Sequence, residues 1–117
     1  SLYDSPAFPE EGRYRSAVEQ AWPLVAPVVR GTRAESLAFE AEDDVAWPTM
    51  AGLAVRLERR GVHVAVPDSL VSIFGERHRR TGSEDLRVLF LDPAIPPPGS
   101  ASLLGLAGAY ALYALAS

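Results

Sequence analysis

Two short charged runs hold most of the side chains that could do chemistry. The first is acidic: Glu40, Glu42, Asp43 and Asp44. Carboxylates crowded in this way can hold a divalent cation or the hydroxyls of a sugar, and in open α/β sheets ligands sit outside the carboxyl ends of strands, where this run is expected to fall. Its plainer role is to cap the following helix, because carboxylates accept hydrogen bonds from first-turn amides and favour the positive helix end. Capping needs only one of the four, and no second cluster of oxygen ligands at fixed spacing is visible. We therefore expect a cap and keep all four as ligand-binding candidates. The second run is basic, Arg77, His78, Arg79 and Arg80, set between Gly75 and Gly82. Guanidinium groups grip phosphate in a bidentate way, so this run is a candidate for a nucleotide, a lipid phosphate head group or an anionic polymer. Glu76, Glu84 and Asp85 stand close by, and a solvated, internally balanced loop is the simpler expectation.

The other candidates are narrower. His63 and His78 are the only histidines. His63 falls opposite the valines of an expected strand and is read as structural, and neither histidine stands at helical spacing from a second metal ligand, so no metal site is expected. No G-x-S-x-G elbow marks a nucleophile, and no catalytic residue is assigned. All 11 basic residues are Arg, which excludes a phosphate-loop lysine and Schiff-base chemistry. With no G-x-G-x-x-G after the first strand either, nucleotide hydrolysis and dinucleotide chemistry are disfavoured and no cofactor is expected. The absence of Cys excludes disulfides, a thiolate nucleophile and a Cys-ligated zinc. Each tryptophan precedes a proline, at Trp22-Pro23 and Trp47-Pro48. Such a pair stacks on sugars when exposed, but core packing at a helix boundary is expected here.

A length of 117 residues suits one domain, and 48% apolar against 22% charged residues predicts a true hydrophobic core. The net charge of −4 argues against a nucleic-acid partner, which needs a basic footprint. Residues 1–12 read as an irregular lead-in. Residues 13–30 have apolar side chains at helical spacing, although Pro23 and Pro27 predict a kink or a split near Trp22. Residues 34–41 alternate as a strand. Pro48 suits the first turn of a second helix, whose stripe is Ala46, Met50, Leu53, Ala54 and Leu57, with Thr49, Arg56, Arg59 and Arg60 facing away. Gly61 stops that helix, and Val62, Val64 and Val66 form a strand directly after it, a unit long enough to join parallel neighbours. Asp68 is placed to cap a short helix ended by Gly75. Leu86 to Leu91 read as a strand buried on both sides.

Asp92 is the last charged residue. After a proline-rich connection over 93–101, residues 102–117 read as a C-terminal helix in which 103–116 are apolar on every face; a run of that length predicts a buried helix, with a truncated membrane span as the alternative. Gly105 and Gly108 give it a slim side for close approach to a neighbour. The expected architecture is a single α/β domain, a small two- or three-layer sandwich on a three- to four-stranded, partly parallel sheet like a Rossmann fragment.

The stretch from Trp47 to His78 carries an amphipathic helix ending G-L-x-x-x-L-E-R-R-G, then a V-x-V strand and an F-G-E-x-H turn. In these features it resembles the extracytoplasmic C-terminal region of multi-span membrane proteins of high-GC bacteria, many described as glycosyltransferases. The resemblance implies a soluble accessory or substrate-recognition domain on the outer side of the cell membrane, without catalysis of its own. Its implied partners are the rest of a membrane-embedded parent chain and an envelope polysaccharide or lipid-linked sugar. The uncharged end after Asp92 fits a domain cut from such a parent. Two alternatives come from the residues themselves: a free-standing small α/β ligand binder or enzyme using residues 40–44 and 77–80, or a structural module for oligomerisation.

Overall fold

A computed structural model describes the backbone of residues 9–116 and the side chains of residues 15–116. Of the expected lead-in, residues 1–8 lie outside the described residues; residues 9–12 are already helical. The element order is α1 (Pro9–Thr32), β1 (Ser36–Ala41), α2 (Trp47–Glu58), β2 (His63–Ala65), a 3₁₀ turn (Asp68–Leu70), α3 (Val71–Phe74), a second 3₁₀ turn (Glu76–His78), β3 (Leu86–Leu91), β4 (Ala101–Ala107) and β5 (Tyr110–Leu115). The strands form one mixed sheet in the order β2-β1-β3-β5-β4. β2, β1 and β3 run parallel, and β5 is antiparallel to both β3 and β4. This is the expected α/β class with a partly parallel sheet, enlarged to five strands.

The helices pack on one sheet face, which makes the sandwich two-layered. Val18, Ala21 and Val25 of α1 and Met50, Leu53 and Leu57 of α2 share a core with Leu37 and Phe39 of β1, Val64 of β2, Val88 and Phe90 of β3 and Leu112 of β5. Each such large side chain removed from water is worth roughly 1.5–3 kcal/mol. Phe90 stands at the centre, edge-on to both Phe39 at 5.6 Å and Tyr110 at 5.9 Å. The opposite face holds a smaller cluster of Leu89, Leu91, Ala111 and Tyr113, so β3 is indeed buried on both sides.

α1 is one continuous helix of 24 residues despite Pro23 and Pro27. Both prolines are exposed, so the carbonyls one turn back that lose their amide partners can turn to water. α2 ends as the sequence indicates. Gly61 takes φ +80°, the Gly61 amide donates to the Glu58 carbonyl at 3.0 Å, and the Val62 amide donates to the Leu57 carbonyl at 3.1 Å. Its start differs from expectation: the residue before Trp47 is Ala46, no side chain caps the helix, and no acidic residue lies in its first turn. Thr49, placed on the outer face by periodicity, is buried. Asp68 opens the first 3₁₀ turn without capping it by a side-chain hydrogen bond.

The C-terminal helix is the main correction. Residues 101–115 form a β-hairpin, β4 and β5, closed by Gly108 and Ala109. Gly108 adopts φ +58°, which a two-residue hairpin turn demands and a helix does not use, and two glycines would cost a helix about 1 kcal/mol each. An all-apolar run has no polar stripe to reveal its period, and β3 needs a partner on its free edge; β5 supplies it from Arg87↔Leu115 to Leu91↔Ala111. The slim side read from the glycines is real, although it belongs to a strand. A Cβ on Gly105 would lie 2.7 Å from Leu24 Cδ2, and one on Gly108 would lie 3.0 Å from the Ala17 Cβ, so α1 rides directly over β4. No helix among the described residues is long and apolar enough to cross a membrane.

Candidate functional site

The acidic run is not a cluster in space. Glu40 lies on β1 and accepts two hydrogen bonds from the Arg87 guanidinium of β3, at 2.6 and 3.2 Å, with Arg80 at 3.6 Å. The Arg87 guanidinium is in turn held above its ordinary pKa, chiefly by that hydrogen bond. Asp43 accepts from the Val45 amide at 2.9 Å, a local turn. Asp44 accepts from the Ser69 hydroxyl at 2.7 Å, tying the loop before α2 to the 3₁₀ turn after β2. Glu42 is exposed and borders a groove with Leu89, Leu91 and Pro96 to Pro98. Among the described residues no group of three or more His, Asp or Glu side chains could hold a metal ion.

The basic run is likewise divided among carboxylates. Arg77 pairs with Glu58 of α2, and Arg80 reaches Glu40 of β1. Arg79 donates to both oxygens of Glu76, at 2.8 and 2.9 Å, and stands 3.7 Å from Asp68. The Arg79 hydrogen bond and charge hold the Glu76 carboxyl below its usual range. Each arginine thus fastens the loop to another element instead of presenting a free guanidinium to phosphate. Of the residues singled out by sequence, the fold brings only Glu40 and Arg80 together across the two runs.

His78 has a different task. It is buried, its carbonyl accepts from the Val66 amide at 2.9 Å, and its Nδ1 lies 2.8 Å from the Val64 carbonyl oxygen. A carbonyl only accepts, so Nδ1 carries the proton. Ring and backbone of His78 thus give partners to the Val64 carbonyl and the Val66 amide on the open side of this edge. The ring is edge-on to Phe74 at 5.9 Å and parallel to exposed His63 at 6.1 Å, and Glu58 Oε1, which has no hydrogen-bond partner, lies 3.4 Å from Nδ1.

Two concave surfaces lie along the outer face of α2, which sequence reasoning passed over. One groove of about 340 Å³ runs between α2 and α3, lined by Trp47, Ala51, Val55, Glu58, Phe74 and His78. A second, of about 470 Å³, lies between α2 and α1, lined by Trp47, Ala51, Gly52, Val55, Arg56 and Arg59 among others. Trp47 belongs to both and is 41% exposed, contrary to the core position expected for it. Val55, about two turns further along α2, and Ile73 across the first groove are 51% and 55% exposed. Trp22 does join the core, with Arg60 over its ring at 4.7 Å. The signal for this face was the Trp47-Pro48 pair, because a proline in the first turn fixes the helix start and leaves the residue before it at the rim. No protein-family model, curated protein or solved structure matches the chain.

Proposed function

We propose that this domain is a carbohydrate-recognition module, an accessory part of a membrane-bound transferase of envelope polymers, that holds a sugar chain along α2. The observation that carries the reading is Trp47, half exposed between two adjoining grooves. An indole face accepts the C–H face of a sugar ring, and planar carboxylate and guanidinium groups at its margin match paired hydroxyls. Arg59 supplies such a margin, with the Glu19–Arg56 ion pair beside it. The internal pairing of Glu40, Arg77, Arg79 and Arg80 leaves this face, rather than the two charged runs, as the better recognition surface. Placement beside a membrane transferase rests on the resemblance of residues 47–78 described above.

Tryptophan fluorescence titrated with a panel of neutral, amino and acidic oligosaccharides tests the reading. A saturable shift with at least one class is expected, lost in Trp47→Ala while Trp22 still reports an intact fold. No shift with any class, or a shift that survives Trp47→Ala, overturns it. The parent reading frame tests the second element: several apolar segments of about 20 residues are expected in it, and their absence removes the membrane assignment.

A further inference from the structure

The two edges of the sheet are treated very differently. The β2 edge is three residues long and is closed by His78 and by a parallel bridge between Val66 and Arg79. At the other end β4 has seven residues, and among the described residues its only strand neighbour is β5. Native edges are normally guarded by charge, by proline, by a bulge or by a cover, because their free amides and carbonyls template further pairing. β4 carries no charged residue and no proline; its one guard is the irregularity between Leu103 and Gly105, and it exposes Leu103 by 61% and Leu106 by 64%.

The spacing of those leucines identifies the partner. Three residues apart in a regular strand, they would point to opposite faces. Here the register shifts between Leu103 and Gly105, so that Leu103 pairs with Tyr113 and Leu106 with Ala111. Tyr113 and Ala111 are two apart on β5, so both leucines stand on the same sheet face, the one away from the helices. We propose that β4 pairs antiparallel with β4 of a second copy of this chain, about a two-fold axis between Leu104 and Gly105. That axis sets Leu103 directly opposite Leu106 of the second copy and Leu106 opposite its Leu103, so both exposed side chains are covered by one operation. Charge is compatible with the same occupant: every residue beyond Asp92 is uncharged, so two copies of net charge −4 that meet along β4 set no like-charged side chains of that strand opposite one another. The two-fold axis stands perpendicular to the sheet, so the helical layers of both copies lie on one side of a continuous sheet.

Sedimentation velocity over a concentration series tests this, up to about 1 mM to cover weak association. The expected result is a monomer–dimer equilibrium that goes no further, since pairing consumes the only open edge among the described residues. Replacing both leucines by lysine, Leu103→Lys with Leu106→Lys, sets like charges opposite one another and is expected to leave a monomer with native circular dichroism. Leu103→Lys with Leu106→Glu sets the introduced lysine against the introduced glutamate of the other copy and is expected to restore the dimer. A monomer throughout, assembly beyond the dimer, or a dimer unaffected by the double lysine variant overturns the proposal. If both double variants are equally monomeric, the stated register is wrong and the proposal fails.

Discussion

The His78 ring donates through Nδ1 to the Val64 carbonyl at 2.8 Å, while its own carbonyl accepts from the Val66 amide two residues further on, just past the end of β2. One residue therefore does for this edge what a neighbouring strand would do. His78→Phe keeps a ring in the buried slot and leaves the Val64 oxygen without a donor. An unsatisfied buried acceptor costs roughly 1–3 kcal/mol, and urea unfolding should show a loss in that range. His78→Gln, which retains a side-chain donor, should lose less.

Gly52 marks a close approach of α2 to α1, because a Cβ there would lie 2.5 Å from Val18 Cγ2. Alanine ordinarily stabilises a helix interior relative to glycine by about 1 kcal/mol, whereas overpacking a filled core costs about 1–3 kcal/mol. Val18 is buried and branched at Cβ, so it has little freedom to give way. Gly52→Ala is expected to lower the unfolding midpoint. Val18→Ala should damage the wild-type chain more than it damages the Gly52→Ala chain, and thermal melts of the four proteins would reveal the coupling.

Glu40 and Arg87 join β1 to β3 on the face opposite the helices, with Arg80 reaching the same carboxylate. The Arg87 side chain is 37% exposed, so solvent screening limits the pair to about 0.5–1 kcal/mol. A double-mutant cycle with Glu40→Gln and Arg87→Met should return a coupling of that size. The coupling should shrink as salt is raised, because a partly exposed ion pair is screened.

Glu84 has the most informative acid response. Burial pushes its carboxyl up, but hydrogen bonds from the Thr81 hydroxyl and amide and from the Gly82 amide outweigh that effect and hold it below the ordinary value of 4.5. A carboxyl with a lowered folded-state pKa contributes stability that is complete above its unfolded-state value and is lost as pH falls through the folded-state value. Glu84→Gln should therefore be less stable than wild type at neutral pH by a constant margin. That margin should close as the pH is taken below 4.5, which paired melts across the acid range would measure.

Local patterns of apolar spacing and glycine placement made α2, its Gly61 stop, the valine strand and the doubly buried β3 legible in the sequence. Each of these is decided within about ten residues of chain, where periodicity carries the information. The hairpin was not legible, because residues 102–117 present no polar side against which a period of two could be told from one of 3.6. Charge partners escaped for another reason. Glu40 and Arg87 are 47 residues apart and meet only through the register of two parallel strands, and Arg77 finds Glu58 only once the loop has folded back on α2. Chain neighbours suggest a helix cap for the acidic run and local balancing for the basic one, whereas Glu40, Asp44, Arg77 and Arg80 take their partners from elements distant in sequence. The grooves along α2 are walled by α1 and α3 and exist only after the three helices have packed.

The contact of α1 with the hairpin turn also governs how this chain can reach its folded state. The Gln20 side chain accepts from the Gly108 amide across 88 residues, and Leu24 packs on Gly105 nearby. A hairpin forms locally within microseconds, but this closure waits until nearly the whole chain is in place, since loops of such length are entropically slow to close. During synthesis the N-terminal helix must therefore keep its apolar stripe unburied against the sheet until the last strands emerge. Two separately made pieces, divided in the exposed loop between β3 and β4, would face the same requirement and meet it by binding each other.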